Sequence, residues 1–391
     1  MDCLRNLNLS QSNYIRRLIT EDIIIVGGGP AGAYLGYCLA KKDIQATIFD
    51  DSHPREKPCG GGISVLAIEK FPILHKIPVG KSPDNEIKII SPNGKEVIIE
   101  GKKSSWSISR RHLDKFLLDK AVENGAKLIE ERVMDFENKN DKWVLKTKNG
   151  IYKSNIIIGA DGANSLIRSK IIGPIPKENL GFCYGCFAKS EKNEYTTIKF
   201  FKKRQGYAWC FPREDHLSIG VGMELLNSRN LKNIFEDFIS FYYPHIEIIS
   251  KWGAIIPLAK DPKFFEISCC DEKWAVLGDA AGHVDPITGE GITYALWSAE
   301  LACEAIVKNN LSLFDDLWRK EYGYNLIESS KFRKMFFNYY LLEFSIKIAS
   351  RSETFRRILY DLIVSEQEQK TLMKRMIKDL PKVTIELLSF K

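Results

Sequence analysis

Residues 22–51 read DIIIVGGGPAGAYLGYCLAKKDIQATIFDD. Residues 23–26 are a short, continuous apolar run, the pattern of a strand buried on both faces. Gly27, Gly29 and Gly32 follow with GxGxxG spacing. A helix then runs to about Lys42, and residues 46–49 form a second strand ending at Asp50. Gly27 permits the tight turn, Gly29 lets backbone approach a pyrophosphate, and Gly32 lets helix pack close to strand. The helix N-terminus then faces the phosphates, while Asp50 can accept from ribose hydroxyls. A lone GxGxxG is weak evidence. Flanked by both strands and followed by the acid, it predicts a dinucleotide-binding βαβ unit. The same stretch is uncharged from Ile23 to Ala40 and long enough to mimic a membrane span, but its glycines and Pro30 fit strand, turn and helix better.

The chain around this unit has 391 residues, 44% of them hydrophobic and 27% charged, which excludes a disordered polypeptide and implies more than one domain. Its net charge is +7, and residues 331–391 hold thirteen Lys/Arg against seven Asp/Glu, so the C-terminal sixth carries most of the excess. That excess fits either an anionic partner or a solvated helical face. No basic patch reads as a nucleic-acid site. Nine cysteines without a paired spacing fit a reducing, cytoplasmic setting. Cys183 and Cys186 form a lone CxxC with no second pair, so we expect two buried thiols and no metal. The first twenty residues contain Arg5, Arg16 and Arg17 without an apolar core and do not read as a secretory signal.

Two further segments define the cofactor. In NIIIGADGANSLIR (155–168) a strand runs into Asp161-Gly162 and a helix start. In WAVLGDAAGHVDPITGEGI (274–292) a strand ends in Gly278-Asp279, and a second glycine turn spans Gly289 to Gly291. A strand ending in Gly-Asp aims a carboxylate at polyol hydroxyls. The turn opens a helix whose free N–H groups stabilise negative charge on a reduced flavin ring. In this order the pieces point to FAD rather than NAD. The expected fold is α/β: a Rossmann-type FAD-binding domain with a parallel sheet, interrupted by a β-rich substrate domain and followed by a helical C-terminal region. In residue numbers, 1–20 form an N-terminal extension, and 21–80, 105–180 and 265–310 the FAD-binding domain. Residues 81–104 and 181–264 form the substrate domain, and 311–391 the helical region.

The succession of GxGxxG, DG, and GD followed by PxxGxG resembles the glutathione-reductase-type FAD proteins of the aromatic-hydroxylase fold. KPCGGGI (57–63), GYAWCFP (206–212), GVG (220–222) and GDAAGHVDPITGEGI (278–292) resemble more closely the geranylgeranyl reductase family, which saturates isoprenoid double bonds. That family's YxWxFP and GxG are met by Tyr207, Trp209, Phe211, Pro212, Gly220 and Gly222, so the resemblance makes these the substrate-binding residues. It also implies FAD contacts at Ala31, Asp50, Cys59, Gly60, Arg110, Val133, Asp279, Gly291 and Ile292, with Gly61, Gly62 and Gly289 in the same turns. Arg110 is chosen over Arg111 because Arg110, Leu113 and Asp114 meet the family's Arg-x-x-(Leu/Phe)-Asp. Two departures stand out. Asp50 replaces the commoner Glu. Gly282 occupies the place where many aromatic hydroxylases have His, which leaves His283 displaced by one and structural.

The implied reaction is hydride transfer from reduced flavin to a C=C bond of a geranylgeranyl-type lipid, with ferredoxin or NAD(P)H as external electron donor. The alternatives are an FAD monooxygenase of a small apolar substrate and an electron-transfer flavoprotein. Tyr207, Trp209 and Phe211 alternate along a strand and share one side, either as a tunnel wall for a prenyl chain or as a core face. Cys59 is either a proton donor or a small neighbour of the ring. With Tyr207 and Trp209 it completes the catalytic candidates. The aromatic, basic stretch 331–359 fits either a peripheral contact with an anionic membrane or a capping helix over the substrate domain.

Overall fold

The computed structural model describes residues 18–78, 81–190, 195–364 and 369–389; the N-terminal arginines Arg5, Arg16 and Arg17 lie outside them. The fingerprint folds as β1 (Leu18–Val26), α1 (Pro30–Ala40) and β2 (Thr47–Phe49), with Ile24 opposite Thr47 and Val26 opposite Phe49 in parallel register. β6 (Lys127–Ile129) extends this sheet beyond β2, and β9 (Ile151–Gly159) lies on the other side of β1, both parallel. The outer edge of β9 is shared. Its first half pairs antiparallel with β8 (Lys142–Lys146), which carries β7 (Asp135–Lys139), and its second half pairs parallel with β15 (Trp274–Val276). Between β6 and β7, Glu130, Glu131 and Arg132 interrupt the apolar pattern, and the chain leaves the sheet there.

The second sheet runs in the order β14 (Ile248–Pro257), β10 (Leu180–Lys189), β13 (His216–Glu224), β12 (Gly206–Pro212), β11 (Thr196–Phe200), β4 (Lys81–Ile90), β5 (Glu96–Ile108), β3 (Gly62–Ile63). It is antiparallel except where β11 meets β4. Alternation along β12 splits its side chains between two environments. Ala208 and Cys210 join Ile219, Val221 and Phe235 under α5 (Leu231–Tyr242), while Tyr207, Trp209 and Phe211 turn the other way. The same period of two separates Cys183 and Cys186. Three apart on β10, they face opposite sides, Cys186 toward α5 and Cys183 toward Trp209 and Trp252. Among the described residues no group of side chains could hold a metal ion.

Helices complete the first sheet: α3 (Arg110–Glu123) and α6 (Ile292–Val307) pack against α1, and α4 (Leu166–Ile171) follows β9. α2 (Val65–Lys70) starts at a Ser64 cap. From Leu313 the described chain is helical, as α7 (Leu313–Trp318), α8 (Tyr324–Phe336), α9 (Tyr339–Ala349), α10 (Glu353–Ile363) and α11 (Gln369–Ser389). The stretch 331–359 lays Phe337, Leu342, Ile346 and Leu359 on Ile87 and Ile99 of the second sheet, while Tyr340 and Phe344 stay exposed. No helix among the described residues is long and apolar enough to cross a membrane.

Candidate functional site

The glycine run after Pro58 lies between the two sheets. Gly61 has φ +81°, and a Cβ on it would stand 2.2 Å from the Ile108 carbonyl oxygen, so both conformation and space require glycine there. Its backbone is held from outside. The Arg213 guanidinium donates to the carbonyls of Cys59 (2.7 Å) and Gly60 (3.2 Å), and the Ser218 hydroxyl donates to Cys59 as well (2.7 Å). Arg213, whose side chain is fully buried, also pairs with Glu56 at 2.6 Å. Glu56 in turn accepts from Ser109 Oγ and from the Arg110 N–H (3.0 Å) at the start of α3. Burial alone would raise the Glu56 pKa, but the Arg213 charge and the Ser109 and Arg110 donors hold it below the ordinary range. Arg110 is fixed by a bidentate pair with Asp114, 2.7 Å at each contact.

A continuous cavity of about 1060 Å³ runs from the fingerprint to the aromatic wall. At one end it is lined by Gly27, Gly29, Ala31, Asp50, Val133, Asp161 and Ala160, and in the middle by Cys59, Gly60, Gly61, Gly62, Arg110, Asp279, Gly289, Gly291 and Ile292. At the other end stand Tyr207, Trp209, Phe211, Gly222, Cys183, Trp252, Phe336 and Phe337. Gly32, Pro212 and Gly220 do not line it. Gly220 lies beneath Trp209, and a Cβ on it would stand 2.4 Å from the indole. The ring of Trp209 stacks on Trp252 with centroids 6.1 Å apart. The Tyr207 hydroxyl donates to the Thr288 carbonyl, which ties the wall to the glycine turn; burial holds that phenol protonated well above its usual range. Glu56, Arg213, Ser218, Trp252 and Thr288 were not read from the sequence. Glu56 directly precedes KPCGGGI, Arg213 directly follows GYAWCFP and Thr288 lies within GDAAGHVDPITGEGI, so their positions were in view but their roles were not; Trp252 stands in no such stretch.

Several features of this cavity fit FAD. The N-termini of α1 and α6 carry no side-chain cap, and their glycines Gly29 and Gly291 face the cavity. A Cβ at Gly29 would meet nothing within 4 Å, so the space before the α1 amides is open to a pyrophosphate. Asp50 takes Gly28 N–H on one oxygen and Ser52 on the other (2.7 Å each). Burial would raise its pKa, but the Ser52 hydroxyl and the Gly28 amide win and keep it ionised, ready to accept from ribose hydroxyls. Asp161 caps α4 through the Leu166 N–H (2.7 Å), and its Oδ1 is buried without a partner beside the cavity.

His283 lies outside the cavity, fully buried against Trp318 and hydrogen-bonded to the Tyr322 hydroxyl at 2.9 Å. Burial pushes its pKa down to about 3. Its neutral form contributes stability that is complete above the ordinary imidazole pKa near 6.5. As pH falls from there toward 3, the unfolded chain takes up a proton that the folded one refuses. We expect stability to fall across that window from this residue alone, at a rate that does not exceed about 1.4 kcal/mol per pH unit. Urea titrations of the protein and of His283→Gln at several pH values check this; parallel pH profiles would refute it.

The fold is that of FAD-dependent enzymes. The structure of a geranylgeranyl bacteriochlorophyll reductase-like protein from Thermoplasma acidophilum superposes with TM-score 0.70 at 22% identity, covering 96% of this chain and all of that one. A halogenase solved with FAD superposes with TM-score 0.63 at 16% identity, covering 90% and 85%. No family model matches the chain. An uncharacterised protein of Methanosarcina barkeri is 30% identical over 299 residues, 73% of this chain and 74% of its own. The digeranylgeranylglycerophospholipid reductase of Methanococcus vannielii is 25% identical over 339 residues (80% and 85%), and the geranylgeranyl diphosphate reductase of Synechocystis 28% over 361 (81% and 85%). The protein is an FAD-dependent oxidoreductase. It belongs to the geranylgeranyl reductase family.

Proposed function

We propose that the chain saturates isoprenoid C=C bonds of a geranylgeranyl-type membrane lipid. The observation that carries this reading is the continuity of the cavity, from the nucleotide fingerprint to a wall of aromatic rings with the glycine loop between them. FAD in its reduced form supplies the hydride. An isolated alkene is not polarised, so the protein must stabilise cationic character or deliver a proton as the hydride arrives. The faces of Trp209 and Trp252 do the first by cation–π attraction. Two thiols line the cavity: burial pushes Cys183 up to about 12, while Cys59 sits on the glycine loop with its sulfur accepting the Gly61 N–H at 3.3 Å. Tyr207, its hydroxyl committed to Thr288, positions the wall rather than donating a proton. Electrons come from ferredoxin or NAD(P)H.

Mass spectrometry of prenyl lipids incubated anaerobically with the dithionite-reduced protein tests the reading: each saturated bond adds two hydrogens. Substrate-dependent oxygen uptake with no such gain would assign the site to monooxygenation instead. For Cys59, the expected result is that Cys59→Ser keeps more turnover than Cys59→Ala. Equal rates would leave Cys59 as a small neighbour of the ring.

A further inference from the structure

Helix α11 is amphipathic in the opposite sense from a helix that caps a core. Its polar face is the one turned to the protein. Arg375 pairs with Asp361 of α10 and reaches Asp379 at 3.5 Å, and Glu386 accepts from the Thr354 N–H (3.1 Å), the Thr354 hydroxyl (2.6 Å) and Ser352. Val383 is buried on the same face. Positions 375, 379, 383 and 386 fall on one side by helical spacing. The other side carries Ile377, Leu380, Ile385 and Leu388, which are 62–80% exposed. Monomeric soluble proteins rarely leave such a stripe uncovered. Along one edge of it stand Lys374, Lys378 and Lys382, exposed and four residues apart.

We infer that this face of α11 is a docking surface for an anionic lipid bilayer. An apolar stripe edged by lysines matches the acyl boundary and the headgroup charge of such a surface. The same lysines would repel one another across a self-paired stripe, which disfavours a second copy as occupant. The location favours delivery of a lipid, because α10, on which α11 rests, leads into Ile363 and Val364, and both line the cavity. The inference rests on the prenyl-lipid reading for its purpose, but its test needs no turnover.

The test is co-sedimentation of the full-length, FAD-loaded protein with vesicles of phosphatidylcholine and phosphatidylglycerol in equal parts, and with phosphatidylcholine alone. The wild type should bind the anionic vesicles and release them at high salt. Replacing Lys374, Lys378 and Lys382 together with Gln should weaken binding on the order of 100-fold, and Ile377→Glu with Leu388→Glu should abolish it. All these positions are exposed, so an unchanged melting temperature shows the variants are folded. Failure of the wild type to bind, or equal binding by the variants, overturns the proposal. So does a lipid-free dimer that the glutamate variant dissociates, which would give the stripe to a second copy. Reduction of detergent-dispersed prenyl lipid, measured separately, reports on the function proposed above and should be unchanged in these variants.

Discussion

Arg213→Met should cost about 3–5 kcal/mol of stability, because it strands the part-buried Glu56 carboxylate without its partner. It should also empty the site of FAD. The guanidinium is the shared donor to the Cys59 and Gly60 carbonyls, so the glycine loop loses its clamp along with the ion pair. Chemical denaturation and the flavin absorbance of the purified variant measure the two effects. Adding Glu56→Gln to Arg213→Met should recover part of the stability, since the lone charge is then gone, but not the loop. A stable variant that keeps its flavin would show the clamp to be dispensable.

The second large effect is expected at Gly220. An alanine methyl there would stand 2.4 Å from the Trp209 ring and must push the indole off its bed. Displacing a positioning group by about 1 Å can cost on the order of 10²-fold in rate, so Gly220→Ala should lower prenyl-lipid reduction by about that factor while FAD stays bound. Steady-state rates, with flavin content measured on the same sample, check it. Unchanged turnover would return Tyr207, Trp209 and Phe211 to an ordinary core face. Trp209→Ala, which removes the ring itself, should behave alike.

What could be read in advance was whatever is local in sequence. The βαβ unit, the Asp161 and Asp279 strand ends and the Gly289–Gly291 turn are set by short-range spacing, and α6 begins where that turn ends. Arg110 and Asp114 are one helical turn apart and could be paired from their motif. Arg213 and Glu56 are separated by 157 positions, and nothing in either neighbourhood announces the other. Trp252 stacks on Trp209 across two intervening strands of the second sheet and sits in no motif. The two thiols of the CxxC are close in sequence but not in space, because the strand period sends them to opposite faces of β10. Inverted amphipathicity in α11 was equally invisible, since the periodicity of a helix does not say which face its neighbours will take.

The two-residue strand β3 extends the loop that follows β2 of the first sheet, yet Gly62 and Ile63 pair with Ser107 and Trp106 of the second. The segment that would border the flavin is thus a covalent part of one sheet and a hydrogen-bonded part of the other. Strain in that segment would therefore be felt by both sheets, and if FAD binding changed the affinity of the aromatic end for its ligand by some factor, that ligand would change the affinity for FAD by the same factor.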